Sequence, residues 1–204
     1  MDRETRRRID KRQQSDDPSC NHIDEKKDQL ALVLQHFCGI SDGIEYFSGN
    51  GYMTSAYENA GIITETNDIK NSKVCSYRLI HEHCSKDRKF NLIDLDTYGL
   101  PWKAFPHVVG MLANESALLV TSVKCNIPIL NQRREASFIG RFGCARPAID
   151  DYIRYIINCG LIYSKDIACV SSVMLGKNTH RMAFICKDKR YTAKSPNNKD
   201  QRRQ

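Results

Sequence analysis

The sequence lacks any apolar run that approaches the roughly 20 residues needed for a membrane-spanning helix. Residues 1–13 are polar and rich in arginine, so they lack the apolar core of a secretory signal. The nine cysteines are an odd number and include no C-x-x-C pair, which disfavours a disulfide framework. These absences predict a soluble, cytoplasmic protein with free thiols and no membrane partner.

A metal site is not indicated either. Residues 81–84 read His-Glu-His-Cys, but structural zinc needs four ligands at characteristic spacings, and no second pair accompanies this cluster. We therefore predict no bound metal and interpret the cluster as a solvated helix end or strand edge.

The 204 residues, of which 41% are hydrophobic and 27% are charged, can build one core. We predict a flexible basic arm over residues 1–26, a folded domain over 27–187 and a flexible basic tail over 188–204. The 31 basic residues outnumber the 24 acidic ones and give a net charge of +7. Basic arms attract polyanions, which favours a nucleic-acid partner, although such arms also serve solubility.

Strand and helix patterns alternate along the chain. Apolar and β-branched runs predict four strands, at residues 43–47, 62–66, 90–96 and 117–123. Apolar residues at three- and four-residue spacings predict helices at residues 28–37, 53–60, 102–112 and 146–159. A final pair of strands, at 167–174 and 180–186, predicts a hairpin, whereas residues 71–89 contain either a strand or a helix. The expected fold is α/β: a Rossmann-like, mostly parallel sheet with helices on both faces and an antiparallel edge hairpin.

The end of the first predicted strand is the first candidate ligand site. Gly49 and Gly51 lack a Cβ, so the backbone there can take a positive φ and lie close to a ligand. Glu45 can accept hydrogen bonds in the crevice where open α/β sheets bind ligands. Asp68 follows Glu45 by 23 residues, comparable to the roughly 20 residues between a glycine loop and the acid that binds ribose hydroxyls. The alternatives are an ordinary strand-to-helix turn and a helix N-cap at Asp68.

A third strand end carries the segment Asp-Leu-Asp-Thr-Tyr-Gly-Leu-Pro, residues 94–101. With the turn after the first strand and Asp68, it resembles the class I S-adenosylmethionine-dependent methyltransferases, and in particular the tRNA guanine-N2 dimethyltransferases and phage-type DNA methylases. Thr97 stands where that family has proline. The resemblance implies S-adenosylmethionine as the cofactor, bound by Glu45, Phe47, Ser48, Gly49, Gly51 and Asp68.

The same resemblance implies catalysis by Asp96, Tyr98 and Asp94 on an exocyclic amine of a base in DNA or RNA. Such an amine is a poor nucleophile, so the site must accept its N–H hydrogen bonds and align it with the methyl group. Asp96 is suited to this role, and Tyr98 can stack on an extruded base. The alternative is that both aspartates cap a helix and Tyr98 packs on the sheet.

Several basic residues follow the third and fourth predicted strands and are candidates for binding substrate phosphates, or are simply exposed cations: Lys103, Lys124, Arg133, Arg134 and Arg141. A covalent route through Cys125 is disfavoured, because the chain has no Pro-Cys dipeptide. Two other functions stay open: a non-catalytic methyltransferase-like binding module, and a methylase of a small molecule or protein. A partner subunit is one source of specificity, and the sequence does not define the oligomeric state.

Overall fold

The computed structural model describes residues 22–37, 39–68, 72, 74–97, 101–123, 138–145, 147–175 and 179–188. The helices are α1 (Ile23–Leu34), α2 (Tyr52–Asn59), α3 (Ser76–Ser85), α4 (Phe105–Gly110) and α5 (Ile149–Ile162). A single 3₁₀ turn (Pro101–Lys103) precedes α4. The strands are β1 (Asp42–Tyr46), β2 (Ile63–Asn67), β3 (Phe90–Asp96), β4 (Leu112–Val123), β5 (Lys165–Leu175) and β6 (Thr179–Asp188).

The six strands form one sheet in the order β2-β1-β3-β4-β6-β5. The first four are parallel, and β6 runs antiparallel to both β4 and β5. The predicted Rossmann-like α/β sheet with an antiparallel edge hairpin is therefore confirmed. In a parallel sheet the carboxyl ends of β1, β2 and β3 lie at one edge, and this edge carries all three candidate turns.

Two apolar cores cover the two faces of the sheet, because side chains alternate along each strand. On one face, Ile93 and Leu95 of β3 pack with α4 and α5. On the other face, Leu92 and Leu119 pack with α1 and α2 through residues such as Val33. Asp94 and Asp96 share the face of Leu92, so their carboxylates lie on the side of α1 and α2.

Several elements differ from the sequence predictions, among them β4, which begins at Leu112 inside the helix predicted to reach residue 112. Helix α1 begins at Ile23, so residues 22–26 of the predicted arm belong to the fold, while residues 1–21 lie outside the described part. The segment that read as strand or helix is helical, from Ser76 to Ser85. Helix α5 runs through Gly160 to Ile162. A Cβ at Gly160 would lie 2.8 Å from the Ile167 side chain, so glycine lets the helix approach β5 closely.

None of the helices in the described residues combines the length and hydrophobicity needed to cross a membrane. Within the same residues, no group of three or more His, Cys, Asp or Glu side chains could hold a metal ion. The described cysteines are free thiols, at positions 75, 84, 144, 159, 169 and 186.

Candidate active site

The turn after β1 is a tight loop that folds back on the end of β2. Phe47, Gly49 and Gly51 all have a positive φ, at 69°, 56° and 75°. The backbone N–H groups of Phe47 and Ser48 donate to the Asn67 carbonyl at 2.7 and 3.1 Å, and the Gly51 N–H donates to the Ser48 carbonyl at 2.9 Å. The left-handed conformation at two glycines and the bonds to Asn67 give the loop a defined shape.

Asp68 joins this loop directly. Its side chain is buried, and its Oδ2 accepts a hydrogen bond from the Gly49 N–H at 3.2 Å. The structure therefore brings together the glycine loop and the acid after β2, as the sequence predicted for one ligand site. The N-cap alternative is compatible with this position, because the Ser72 N–H donates to the Asp68 carbonyl at 2.9 Å, as at the start of a helical turn.

Glu45 lies at the end of β1 beneath the loop, and only 1% of its surface is exposed. Its Oε2 accepts a hydrogen bond from the Thr54 hydroxyl of α2 at 2.6 Å. In the sheet register Glu45 is the neighbour of Asp94 on β3. Burial and the nearby Asp94 charge raise the pKa of Glu45 to about 8, so this carboxyl group can gain or lose a proton near neutral pH.

Asp94 is fully buried and bonded on both oxygens. Arg181 of β6 donates from Nη1 to Oδ1 at 3.2 Å and from Nη2 to Oδ2 at 2.7 Å. The Tyr57 hydroxyl of α2 also donates to Oδ2. Burial and the Asp94 charge raise the pKa of the Tyr57 hydroxyl far above its usual value, so Tyr57 stays a donor. Asp94 is therefore held inside the fold. It lies two residues before Asp96 on β3, further from the sheet edge where ligands bind.

Asp96 is the acid that reaches this edge, and 22% of its side chain is exposed. Lys26 of α1 donates from Nζ to Asp96 Oδ2 at 2.5 Å, and Arg181 Nη1 lies 3.9 Å from Oδ1. Burial by itself raises the pKa of Asp96, but Lys26 and Arg181 outweigh that effect, so its pKa lies below the usual value. Asp96 is consequently an ionised hydrogen-bond acceptor at neutral pH.

Arg181 is placed by the strand register. Asp96 is paired with Thr121 of β4, and Thr121 is paired with Arg181, so the three side chains form a row across one face of the sheet. Arg181 Nη1 donates to the Thr121 hydroxyl at 2.7 Å, and the Thr97 hydroxyl donates to the Thr121 carbonyl at 3.0 Å. Arg181 has no exposed surface, and it pairs with Asp94 as well as with Asp96 of the row.

The loop and Asp96 meet in one open crevice. Its polar lining includes Lys26, Glu45 and Asp96, and its backbone wall includes Ser48, Gly49 and Asn50. The crevice thus combines a glycine loop, a carboxyl group with a raised pKa and an ion-paired carboxylate. Such a set can bind a ligand with hydroxyl or amino groups and can accept an N–H bond from a second molecule.

The other predicted residues have separate positions. Lys103 is exposed, and its Nζ lies 5.2 Å from the Trp102 ring centre. Arg141 is also exposed and stacks on Trp102 with its guanidinium carbon 4.4 Å from the ring centre. The remaining predicted residues lie outside the described part of the chain: Tyr98, Lys124, Cys125, Arg133 and Arg134.

Sequence reasoning missed Lys26 and Arg181. Lys26 fell within the predicted flexible arm. However, Ile23 before it and Leu30 and Val33 after it are apolar residues at helical spacing, which indicates that the helix begins before Lys26. Arg181 is a single charge at the start of an apolar strand, and a charge in a buried strand indicates a buried partner. The identity of that partner depends on the sheet order and not on the local pattern.

No protein-family model matches the sequence, and no curated protein matches it. Trm1 from Pyrococcus horikoshii, solved with S-adenosyl-L-methionine, superposes with a TM-score of 0.61 and 13% identity over 80% of this chain and 54% of Trm1. A Streptococcus mutans protein assigned as an S-adenosylmethionine-dependent methyltransferase superposes with a TM-score of 0.52 and 6% identity, over 79% of this chain and 48% of the Streptococcus chain.

SMU.776, assigned as a methyltransferase and solved with SAH, also gives a TM-score of 0.52, with 8% identity over 80% of this chain and 49% of its own. The chain thus spans about half the length of the structures it resembles. At these identities the similarity concerns the fold. The chain has the fold of the class I S-adenosylmethionine-dependent methyltransferases.

Proposed function

We propose that this protein is an S-adenosylmethionine-dependent methyltransferase whose cofactor lies against the loop after β1. The observation that carries the proposal is the meeting of that loop with Asp96 in one crevice at the carboxyl ends of β1 and β3. In open α/β sheets this edge is where ligands bind. The similarity of the fold to Trm1, which was solved with S-adenosyl-L-methionine, supports the same cofactor.

The crevice residues fit this cofactor together with Gly51 and Asp68, which adjoin the loop but lie outside the lining of the crevice. When bound, S-adenosylmethionine supplies a methyl group on a positively charged sulfonium. The positive φ values of Gly49 and Gly51 let the backbone lie close to the methionine part, and Glu45 offers a carboxyl group beneath it. We assign the ribose hydroxyls to Asp68, which already bonds the loop at Gly49. A cationic ligand also favours ionisation of Glu45, which burial opposes in its absence.

We propose an exocyclic amine of a base in DNA or RNA as the methyl acceptor. Asp96 is ionised and partly exposed, so it can accept an N–H bond and orient the amine. Asp94 has both oxygens bonded to Arg181 and Tyr57, so we assign it to holding Arg181 beside Asp96 and not to contacting the substrate. Stacking of the base on Tyr98 stays a prediction.

A nucleic-acid substrate is supported by charge. The chain carries a net charge of +7, and Lys103 and Arg141 are exposed near the 3₁₀ turn that follows the Asp96 segment. Exposed cations of this kind bind phosphates without reading sequence. Sequence specificity, a partner subunit and a cytoplasmic location stay predictions.

The test is transfer of a tritiated methyl group from labelled cofactor to RNA, DNA and protein. We expect label in nucleic acid, and we expect Asp96→Ala to lose transfer while retaining cofactor affinity, because Asp96 acts on the acceptor. Asp166→Ala, an exposed acid on β5, is the matched control and should transfer normally. Label that entered only protein would make the proposed acceptor wrong, and unchanged turnover of Asp96→Ala would remove Asp96 from the mechanism.

A further inference from the structure

Lys26 is a buried lysine in the wall of the proposed active site. Only 8% of its side chain is exposed, and its Nζ lies 2.5 Å from Asp96 Oδ2, across 70 residues of sequence. A lysine is rarely buried unless it is paired. Both side chains line the same crevice as the glycine loop, so the ion pair belongs to the site and not to the interior of the core.

Helix α1 fixes this lysine in place. Leu30 and Val33 of α1 are buried in the core between the helix and the sheet. One turn from Lys26, the Gln29 side-chain amide donates to the Ser171 hydroxyl at 2.9 Å and to the Arg181 carbonyl at 3.1 Å. Lys26 therefore approaches Asp96 from an anchored helix, in contrast to a mobile surface lysine.

Charged side chains of both signs surround Asp96. Lys26 of α1 and Arg181 of β6 are the cations, and Thr121 of β4 contributes a further hydrogen bond to the carboxylate. Asp94 on the same strand and Glu45 of β1 are two acids on this face of the sheet. Arg181 is already bonded to Asp94, so Lys26 is the cation committed to Asp96.

We propose that Lys26 is a positioning residue for methyl transfer, whose ammonium holds the Asp96 carboxylate charged and turned toward the acceptor amine. The inference rests on the proposed function and extends it to a residue of α1. An ionised carboxylate offers about four acceptor positions on its two oxygens. Lys26 and Thr121 take two of them, which leaves acceptor positions for the N–H groups of the substrate.

Replacing Lys26 with methionine keeps a long unbranched chain and removes the charge. Burial then acts on Asp96 with less opposition, so its pKa rises. A protonated carboxyl group donates where it should accept, so transfer is lost first at low pH. We expect the acid limb of the pH–rate profile to move to higher pH and the rate to fall roughly tenfold to a hundredfold at neutral pH.

The experiment combines two readouts on Lys26→Met, Lys26→Arg and the adjacent exposed control Lys27→Met. The first is ¹³C NMR titration of the Asp96 carboxyl carbon, assigned with Asp96→Asn, in protein without acceptor. The second is single-turnover transfer from labelled cofactor to bulk tRNA and to single-stranded DNA over a range of pH. We expect a higher titration midpoint and slower transfer in Lys26→Met, partial recovery in Lys26→Arg, and no effect of Lys27→Met.

The outcomes separate this inference from the function on which it rests. The role of Lys26 alone is overturned if the wild-type protein transfers methyl groups and Lys26→Met changes neither the titration of Asp96 nor the acid limb of the pH–rate profile. Equal losses in Lys26→Met and Lys27→Met also overturn it, because they would reflect the net charge of α1. Wild-type protein that labels neither nucleic acid overturns the proposed acceptor and this role with it, even where the NMR titration shifts.

Discussion

Replacing Arg181 with methionine should destabilise the fold more than any surface substitution. Arg181 and Asp94 both have no exposed side-chain surface and share two hydrogen bonds, at 2.7 and 3.2 Å. Two unit charges about 4 Å apart attract by about 4 kcal/mol at the effective dielectric constant of about 20 that describes protein sites. Loss of one partner of a buried pair costs about 3–5 kcal/mol, because the other charge stays buried without compensation.

The assay is urea unfolding followed by fluorescence of Trp102, the single tryptophan. A domain of this size unfolds with a slope of about 2 kcal/mol per molar urea, so a loss of about 4 kcal/mol lowers the midpoint by about 2 M. Arg154→Met is the matched control, since Arg154 on α5 is 72% exposed and pairs with Asp151. An exposed pair contributes about 0–1 kcal/mol, so its midpoint should barely move.

A second substitution tests the cause. Asp94→Asn introduced into Arg181→Met removes the uncompensated charge and keeps an acceptor for the Tyr57 hydroxyl. The double variant should regain about 2 kcal/mol or more relative to Arg181→Met, a coupling that only interacting residues show. If Arg181→Met and Arg154→Met unfolded at the same midpoint, or if Asp94→Asn gave no recovery, the assignment of a buried ion pair would be refuted.

Two further predictions concern the sheet beneath the site. The pKa of Glu45 is raised from 4.5 to about 8, so the folded protein keeps a proton that the unfolded chain releases, and stability falls as the pH rises through this window. The reference is Glu45→Gln, which keeps an acceptor for Thr54. Relative to this variant, we expect the free energy of unfolding of the wild type, measured with urea, to fall with a slope approaching about 1.4 kcal/mol per pH unit. Parallel plots of unfolding free energy against pH for the two proteins would contradict this prediction. At Gly43 a Cβ would lie 3.0 Å from the Leu92 Cβ and 3.1 Å from its carbonyl oxygen, so Gly43→Ala should lose about 1–3 kcal/mol, and an unchanged thermal midpoint would refute this.

The strands and the glycine loop could be predicted because their signals are local. The predicted strand at residues 90–96 matches β3, and the hairpin follows from two apolar runs around a short turn. Gly49 and Gly51 take the positive φ that their lack of a Cβ suggested. In each case the deciding information lies within about ten residues of sequence.

The ion pairs of the site could not be predicted in this way. Lys26 and Asp96 are 70 residues apart, and Arg181 and Asp94 are 87 residues apart. Their contacts depend on the order of the strands and on the face that each side chain takes, which are properties of the assembled sheet. The same limit applied to Ser76–Ser85, where short apolar runs do not distinguish a helix from a strand.

The central claim is that the crevice beside the β1 loop binds S-adenosylmethionine, and calorimetric titration of the protein with this cofactor tests it most directly. We expect saturable binding to the wild-type protein and to Asp166→Ala, and an affinity roughly tenfold to a hundredfold lower for Asp68→Ala, the range expected for losing a hydrogen bond to a charged group. Absence of measurable affinity in folded wild-type protein, or equal affinity in Asp68→Ala, would contradict the account.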